Sequence, residues 1–136
     1  MTKAIPHVQR YMTTSPHSIG QEQPLTQAHA LMRAHQIRHL PVLHGGALVG
    51  VLSDRDLHLI ETLRDVDPAK VVVEEAMTPG VYSVSPEAPL DDVVREMAKH
   101  KYGCAVVMDH GKVVGMFTTI DVMQAFAELL ETRLTR

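Results

Sequence analysis

The sequence predicts a mixed α/β (α+β) fold: two tandem repeats, each β-α-β-β-α, packed sheet to sheet with pseudo-twofold symmetry. Three observations predict it. The 136-residue chain matches itself at a shift of 65 positions, the distance from Val8 to Val73, so that Val8 to Ile60 pair with Val73 to Ala125 without a gap. Apolar residues recur at helical spacing after Pro24 and again after Pro89. Each helical stretch is followed by two short apolar runs joined through a glycine-containing pair, the signature of a hairpin.

The repeat carries identities at Val8/Val73, Met12/Met77, Thr13/Thr78, Ser18/Ser83, Pro24/Pro89, Leu25/Leu90, Met32/Met97, Val42/Val107, Gly50/Gly115 and Asp56/Asp121. Elsewhere apolar residues exchange for apolar ones, as at Ile19/Val84 and Leu52/Phe117, so both copies share one core pattern. Pro24 and Pro89 stand where helices begin. Leu25, Ala28, Leu31, Met32 and His35 then match Leu90, Val93, Val94, Met97 and Lys101 along one helical face. The hairpins are Leu40 to Leu43 with Ala47 to Leu52, and Ala105 to Met108 with Val113 to Phe117. A last helix starts at Asp54 or Thr119, and the second extends to about Leu130. These boundaries give a first repeat over 1–64 with the N-terminal segment, a linker over 65–72, and a second repeat over 73–136 with a long C-terminal helix. Asp65, Asp67 and Pro68 break the helix in the linker, and Val71 to Val73 are expected to form an edge strand. About 55 residues bury only a modest core, so neither copy is expected to be stable alone.

Composition excludes several functions. Thirteen basic against sixteen acidic side chains leave a net charge of −3, without the basic footprint that duplex nucleic acid demands. No stretch approaches the roughly 18 apolar residues of a membrane span, and Met1 to Gln9 lack a leader-type apolar run. A single cysteine, Cys104, excludes an internal disulfide and fits a cytoplasmic protein. Nine histidines follow no metal-ligand spacing, and His7, His44, His58 and His110 are expected at the solvated surface. No paired acid and base, nucleophile elbow or P-loop lysine motif is present, so the chain is expected not to be an enzyme.

The chemistry is expected at a phrase that closes the last strand of both copies, Gly50-Val51-Leu52-Ser53-Asp54-Arg55-Asp56 and Gly115-Met116-Phe117-Thr118-Thr119-Ile120-Asp121. A strand entering a helix through Ser or Thr offers backbone N–H groups and a hydroxyl to a phosphate. A carboxylate accepts both hydroxyls of a ribose diol. The competing interpretation makes Ser53 and Thr118 ordinary helix caps, Asp56 and Asp121 ordinary first-turn acids, and Arg38 and His39 the basic close of a helix.

With Met12-Thr13 and Met77-Thr78, His17-Ser18-Ile19 and Tyr82-Ser83-Val84, and Arg38-His39-Leu40-Pro41-Val42, these phrases make the chain resemble a tandem pair of cystathionine-β-synthase (CBS) domains, a Bateman module. The resemblance covers nearly the whole chain. It implies a regulatory sensor of an adenosyl ligand, AMP, ADP, ATP or S-adenosylmethionine, in clefts between the repeats. It implies one pocket from Tyr82, Ser83, Val84, Arg38, His39, Pro41, Ser53, Arg55 and Asp56, and another from His17, Ser18, Ile19, Cys104, Ala105, Thr118 and Asp121. Arg38, His39 and Arg55 suit phosphate, whereas Gly103, Cys104 and Ile120 stand in their places in the other copy. Phosphate-bearing ligands are therefore expected in the first pocket, and the second is expected to stay empty or take an uncharged adenosyl group. A homodimer through apolar helix faces with Leu57, Ile60, Leu63 and Val122, Phe126, Leu129 is expected, with an unidentified protein regulated in trans. The alternative is a ligand-free dimerisation or protein-interaction module.

Overall fold

The computed structural model describes residues 4–14 and 17–134. In chain order its regular elements are a 3-10 turn at Val8–Arg10, then β1 (Thr13–Thr14), β2 (Ile19–Gly20), α1 (Leu25–His35), β3 (His39–His44), β4 (Ala47–Ser53) and α2 (Asp54–Glu61). There follow a 3-10 turn at Pro68–Lys70, α3 (Val73–Ala76), β5 (Ser83–Val84), α4 (Leu90–His100), β6 (Cys104–Asp109), β7 (Lys112–Thr118) and α5 (Thr119–Arg133). They form two units, one of residues 16–81 and the other of residues 1–15 with 82–136.

In the 16–81 unit, Pro24 holds an extended backbone at φ −70° and opens α1. Leu25, Ala28 and Met32 of this helix are buried against Ile19, Leu40, Val42, Leu52 and Leu57. The helix stops because Gln36 turns left-handed at φ 53°, and the Ile37 N–H closes back on the Met32 carbonyl at 3.0 Å. β3 and β4 then pair antiparallel across Gly45 and Gly46, whose φ values of 57° and 83° are those of a two-residue type I′ turn. β2 lies parallel to β3, with Ile19 opposite Val42.

The second unit repeats this plan. α4 begins after Pro89 and ends at left-handed Lys101, φ 59°. β6 and β7 pair across His110 and Gly111, again with positive φ at both, and β5 lies parallel to β6. Val93, Met97, Ala105, Val107 and Phe117 form the core together with Val8.

That last residue marks a departure from the sequence boundaries. The segment before the first repeat's strand packs in the second unit, and residues 73–81, which open the second repeat, pack in the first. Val73 is fully buried in the 16–81 core, with its N–H on the Gln23 carbonyl at 2.8 Å and that of Glu74 on Gln21 at 2.9 Å. Val8 makes the matching bonds in the other unit, its N–H to Ala88 at 2.9 Å and that of Gln9 to Pro86 at 3.1 Å. The expected edge strand at Val71–Val73 is absent for the same reason. Pro68 starts a turn rather than a ladder, Val72 makes only an isolated bridge to Pro24, and Val73 begins α3.

The repeated Met-Thr phrases explain the repeated glycines. Met77 and Thr78 lie over β4, and a Cβ on Gly50 would stand 2.6 Å from the Met77 sulfur and 3.0 Å from the Thr78 carbonyl oxygen. On Gly115 it would stand 2.5 Å from the Met12 sulfur and 3.0 Å from the Thr13 carbonyl oxygen. Gly50→Ala and Gly115→Ala are each expected to destabilise by about 1–3 kcal/mol through overpacking. Urea denaturation midpoints check this, and both variants should suffer alike.

Candidate functional site

β4 delivers Ser53 with extended backbone, φ −102° and ψ 161°, to the first turn of α2. The Ser53 hydroxyl accepts the Asp56 N–H at 3.1 Å, and Asp56 Oδ2 accepts the Ser53 N–H at 2.9 Å. This is a reciprocal capping box, the arrangement Ser followed three residues later by an acid favours. The capping interpretation therefore holds for Ser53 and Asp56. It also corrects the expectation of free backbone donors at this turn: the Asp54 N–H bonds the Arg38 carbonyl at 2.8 Å. Of the first three N–H groups of α2, only that of Arg55 lacks a partner among the described residues.

Side chains supply what the backbone withholds. His39 stands opposite Ser53 in the β3–β4 register, which puts Arg38, His39, Ser53, Arg55 and Asp56 around one turn. Arg38 and His39 do not close a helix as expected. α1 ends at His35, and left-handed Gln36 redirects the chain so that His39 starts β3. Arg38 and Arg55 are exposed, and neither is in an ion pair among the described residues. Burial lowers the His39 pKa from 6.5, although Asp54 and Asp56 beside it pull the other way. His39 thus favours its neutral, hydrogen-bonding form, with the Arg38 guanidinium and the Asp54 and Asp56 carboxylates near it. Pro41 is buried deeper in the sheet, opposite Val51. Two fixed cations and a carboxylate with one uncommitted oxygen, Oδ1, suit a sugar phosphate.

The Thr118 turn of the other unit differs. Asp121 Oδ2 accepts the Thr118 N–H at 2.9 Å and the Thr118 hydroxyl at 3.3 Å, while Oδ1 accepts the Thr13 hydroxyl at 3.3 Å. Asp121 is only 6% exposed. The Thr119 N–H bonds the Gly103 carbonyl at 3.3 Å, exposed Ile120 occupies the place that Arg55 has in the other turn, and Gly103 and Cys104 take those of Arg38 and His39. Cys104 lies opposite Thr118 and Ala105 opposite Phe117; burial pushes the Cys104 thiol up to about 11. Half-buried Cys104 is thereby held as a thiol.

The remaining expected residues lie on the strands preceding each helix. Ser83 and Val84 form β5, and the Tyr82 carbonyl accepts the Val106 N–H at 3.0 Å. The Tyr82 ring stacks on Tyr102 with centroids 5.2 Å apart, and Tyr102 in turn on His100 at 5.1 Å. Burial raises the Tyr82 phenol above its ordinary value, with Glu96 and Asp92 adding to the effect. In the 16–81 unit Ile19 is buried and paired with Val42, Ser18 is exposed, and the His17 ring stacks on His35 at 3.6 Å. Sequence reasoning missed Thr13 as a partner of Asp121, Asp54 as a charge on His39, and the Tyr102 stack. The Thr13/Thr78 identity was a signal for the first; nothing local announced the others. Among the described residues, no three His, Cys, Asp or Glu side chains gather to hold a metal ion. His7, His44, His58 and His110 are all exposed.

The model of the CBS domain family matches residues 8–59 and again 73–128. The CBS domain-containing protein YhcV of Bacillus subtilis is 31% identical over 111 residues, 82% of this chain and 79% of its own. The CBS domain pair of protein MJ0100, solved in complex with 5′-methylthioadenosine and S-adenosyl-L-methionine, superposes with a TM-score of 0.82 at 26% identity, covering 91% of this chain and 98% of its own. CBSX2 of Arabidopsis thaliana, solved in complex with AMP, gives 0.80 at 26% identity with the same coverage.

Two outcomes test the electrostatics. Cys104, held as a thiol, is expected to resist iodoacetamide in the native protein at pH 8 and to react fully in urea, as read by mass spectrometry. Since the folded His39 pKa lies below its unfolded value, protonation favours unfolding. Its contribution is complete above pH 6.5 and declines as the pH falls below that value toward the depressed native one. His39→Gln is therefore expected to flatten the loss of stability between about pH 7 and pH 5, measured by denaturant melts across that range.

Proposed function

The chain belongs to the CBS domain family, as two domains in tandem, and from that membership we propose that it is a regulatory module that binds an adenosyl ligand and signals its occupancy to another protein. One observation carries the proposal: the backbone brings Arg38, His39, Arg55 and Asp56 to the Ser53 turn, with His39 opposite Ser53 and the Asp54 N–H on the Arg38 carbonyl. A phosphate there meets guanidinium groups able to pair bidentately, and a ribose meets the Asp56 carboxylate. The complexes of MJ0100 with S-adenosyl-L-methionine and of CBSX2 with AMP support this class of ligand. We assign Arg38, His39, Pro41, Ser53, Arg55 and Asp56, with Tyr82, Ser83 and Val84, to a phosphate-bearing adenosyl ligand. His17, Ser18, Ile19, Cys104, Ala105, Thr118 and Asp121 form the weaker set, without a cation. AMP, ADP and ATP are the preferred candidates on charge. We read the chain as a binding protein, not an enzyme. No helix of the described residues is long and apolar enough to cross a membrane, and we place the protein in the cytoplasm.

The alternative, an interaction module without ligand, draws on α5. Of the residues expected to pair with a second copy, Leu57 is buried in its own unit's core, and Ile60 and Val122 pack against theirs. Leu63, Phe126 and Leu129 remain exposed, and Ile120, Met123 and Leu130 extend the apolar surface of α5. We propose that this helix pairs with a second copy whether or not ligand binds.

Thermal melting in the presence of AMP, ADP, ATP, S-adenosylmethionine and NAD separates the two readings. A ligand at 100 times its Kd adds about 2.7 kcal/mol and raises the midpoint; no shift with any of them favours the interaction module. Arg38→Ala with Arg55→Ala is expected to weaken AMP at least about tenfold, the range of a charge-assisted hydrogen bond, and to leave 5′-methylthioadenosine, which lacks phosphate, within about twofold by calorimetry.

A further inference from the structure

The two turns share a sequence phrase but commit their carboxylates differently. Asp121 receives three hydrogen bonds that occupy both its oxygens, and it is nearly buried. Asp56 receives one, on Oδ2, and stays partly exposed. The decisive bond comes from Thr13. Its counterpart Thr78 makes no hydrogen bond to Asp56 among the described residues, although its backbone meets Val51 as Thr13 meets Met116. The residues that follow account for the difference. Thr14 continues β1 along β7, opposite Gly115, whereas Pro79 cannot extend a ladder and Gly80 turns away at φ +67°. The ladder through Thr14 holds Thr13 beside α5, and Arg10 pairs with Glu128 further along the same helix at 3.3 Å.

We infer that the hydrogen bond from Thr13 makes Asp121 a latch between the 4–14 segment and α5, so that each chain has one ribose-reading turn, at Asp56. This rests on the adenosyl reading above and narrows it. A ribose diol needs two acceptor positions facing it. At Asp121 it would have to displace Thr13 and open a buried carboxylate; at Asp56 it finds Oδ1 uncommitted.

The test is calorimetric titration with AMP, with melting temperatures, on the full chain and on Thr13→Val, Asp121→Asn, their double variant and Asp56→Asn. One AMP per chain is expected. Asp56→Asn should weaken it at least about tenfold; Thr13→Val and Asp121→Asn should both lower the melting temperature, and Thr13→Val should leave the affinity within about twofold. The double variant should melt no lower than Asp121→Asn alone, because the two residues share one bond. Should Asp121→Asn not fold, Thr13→Val carries both readouts. Two AMP molecules per chain, one lost in Asp121→Asn, would overturn the inference while leaving the adenosyl reading intact. If the unaltered protein binds neither AMP nor S-adenosylmethionine, the adenosyl reading falls, and the melting temperatures decide the latch: additive losses from Thr13→Val and Asp121→Asn refute it.

Discussion

Everything in this molecule depends on two valines that complete cores other than those their sequence positions suggest. Val8 and Val73 are fully buried, and each brings a segment whose N–H groups bond the carbonyls just before α4 or α1. Those carbonyls precede helix starts at Pro89 and Pro24, where no intrahelical or ladder partner is available. Each unit is therefore finished by a leading segment from outside its own helix and hairpin, contiguous in the 16–81 unit and distant in sequence in the other.

The same exchange sets the character of each turn. The Met-Thr phrase that follows each valine lies over the last strand, close enough that only glycine is accommodated at Gly50 and Gly115. Where that phrase continues as Thr13-Thr14 it forms a strand and its hydroxyl reaches Asp121. Where it continues as Thr78-Pro79-Gly80 it leaves the sheet, and Asp56 keeps an oxygen to offer. The basic side chains follow the same division, with Arg38, His39 and Arg55 at one turn and Gly103, Cys104 and Ile120 at the other. Internal duplication has thus produced one turn whose carboxylate keeps an uncommitted oxygen and one whose carboxylate is bonded to the 4–14 segment.

Much of the local structure was legible in the sequence. The helices appear where Pro24 and Pro89 lead into apolar stripes, and the hairpins turn at Gly45-Gly46 and His110-Gly111 because those residues tolerate positive φ. The caps were legible only as an alternative: Ser53 and Asp56 satisfy each other whether or not a ligand is bound, so the pattern alone cannot separate a cap from a binding group. The strand expected at Val71–Val73 was misread because a β-branched run favours extended backbone, while the N–H groups of Val73 and Glu74 found partners outside any ladder.

By itself the sequence determined the repeat, the type of nearly every element and the residues of the two turns, because hydrophobic period and turn chemistry act over a few residues. Only the tertiary structure decided which leading segment completes which core. Val8 and Val73 are the same residue in the same register, and no local signal distinguishes a segment that packs on its own repeat from one that packs on the other. The fate of Asp121 was settled there too, since its hydrogen bond to Thr13 joins positions 108 residues apart, a separation over which no pattern in the chain can be read.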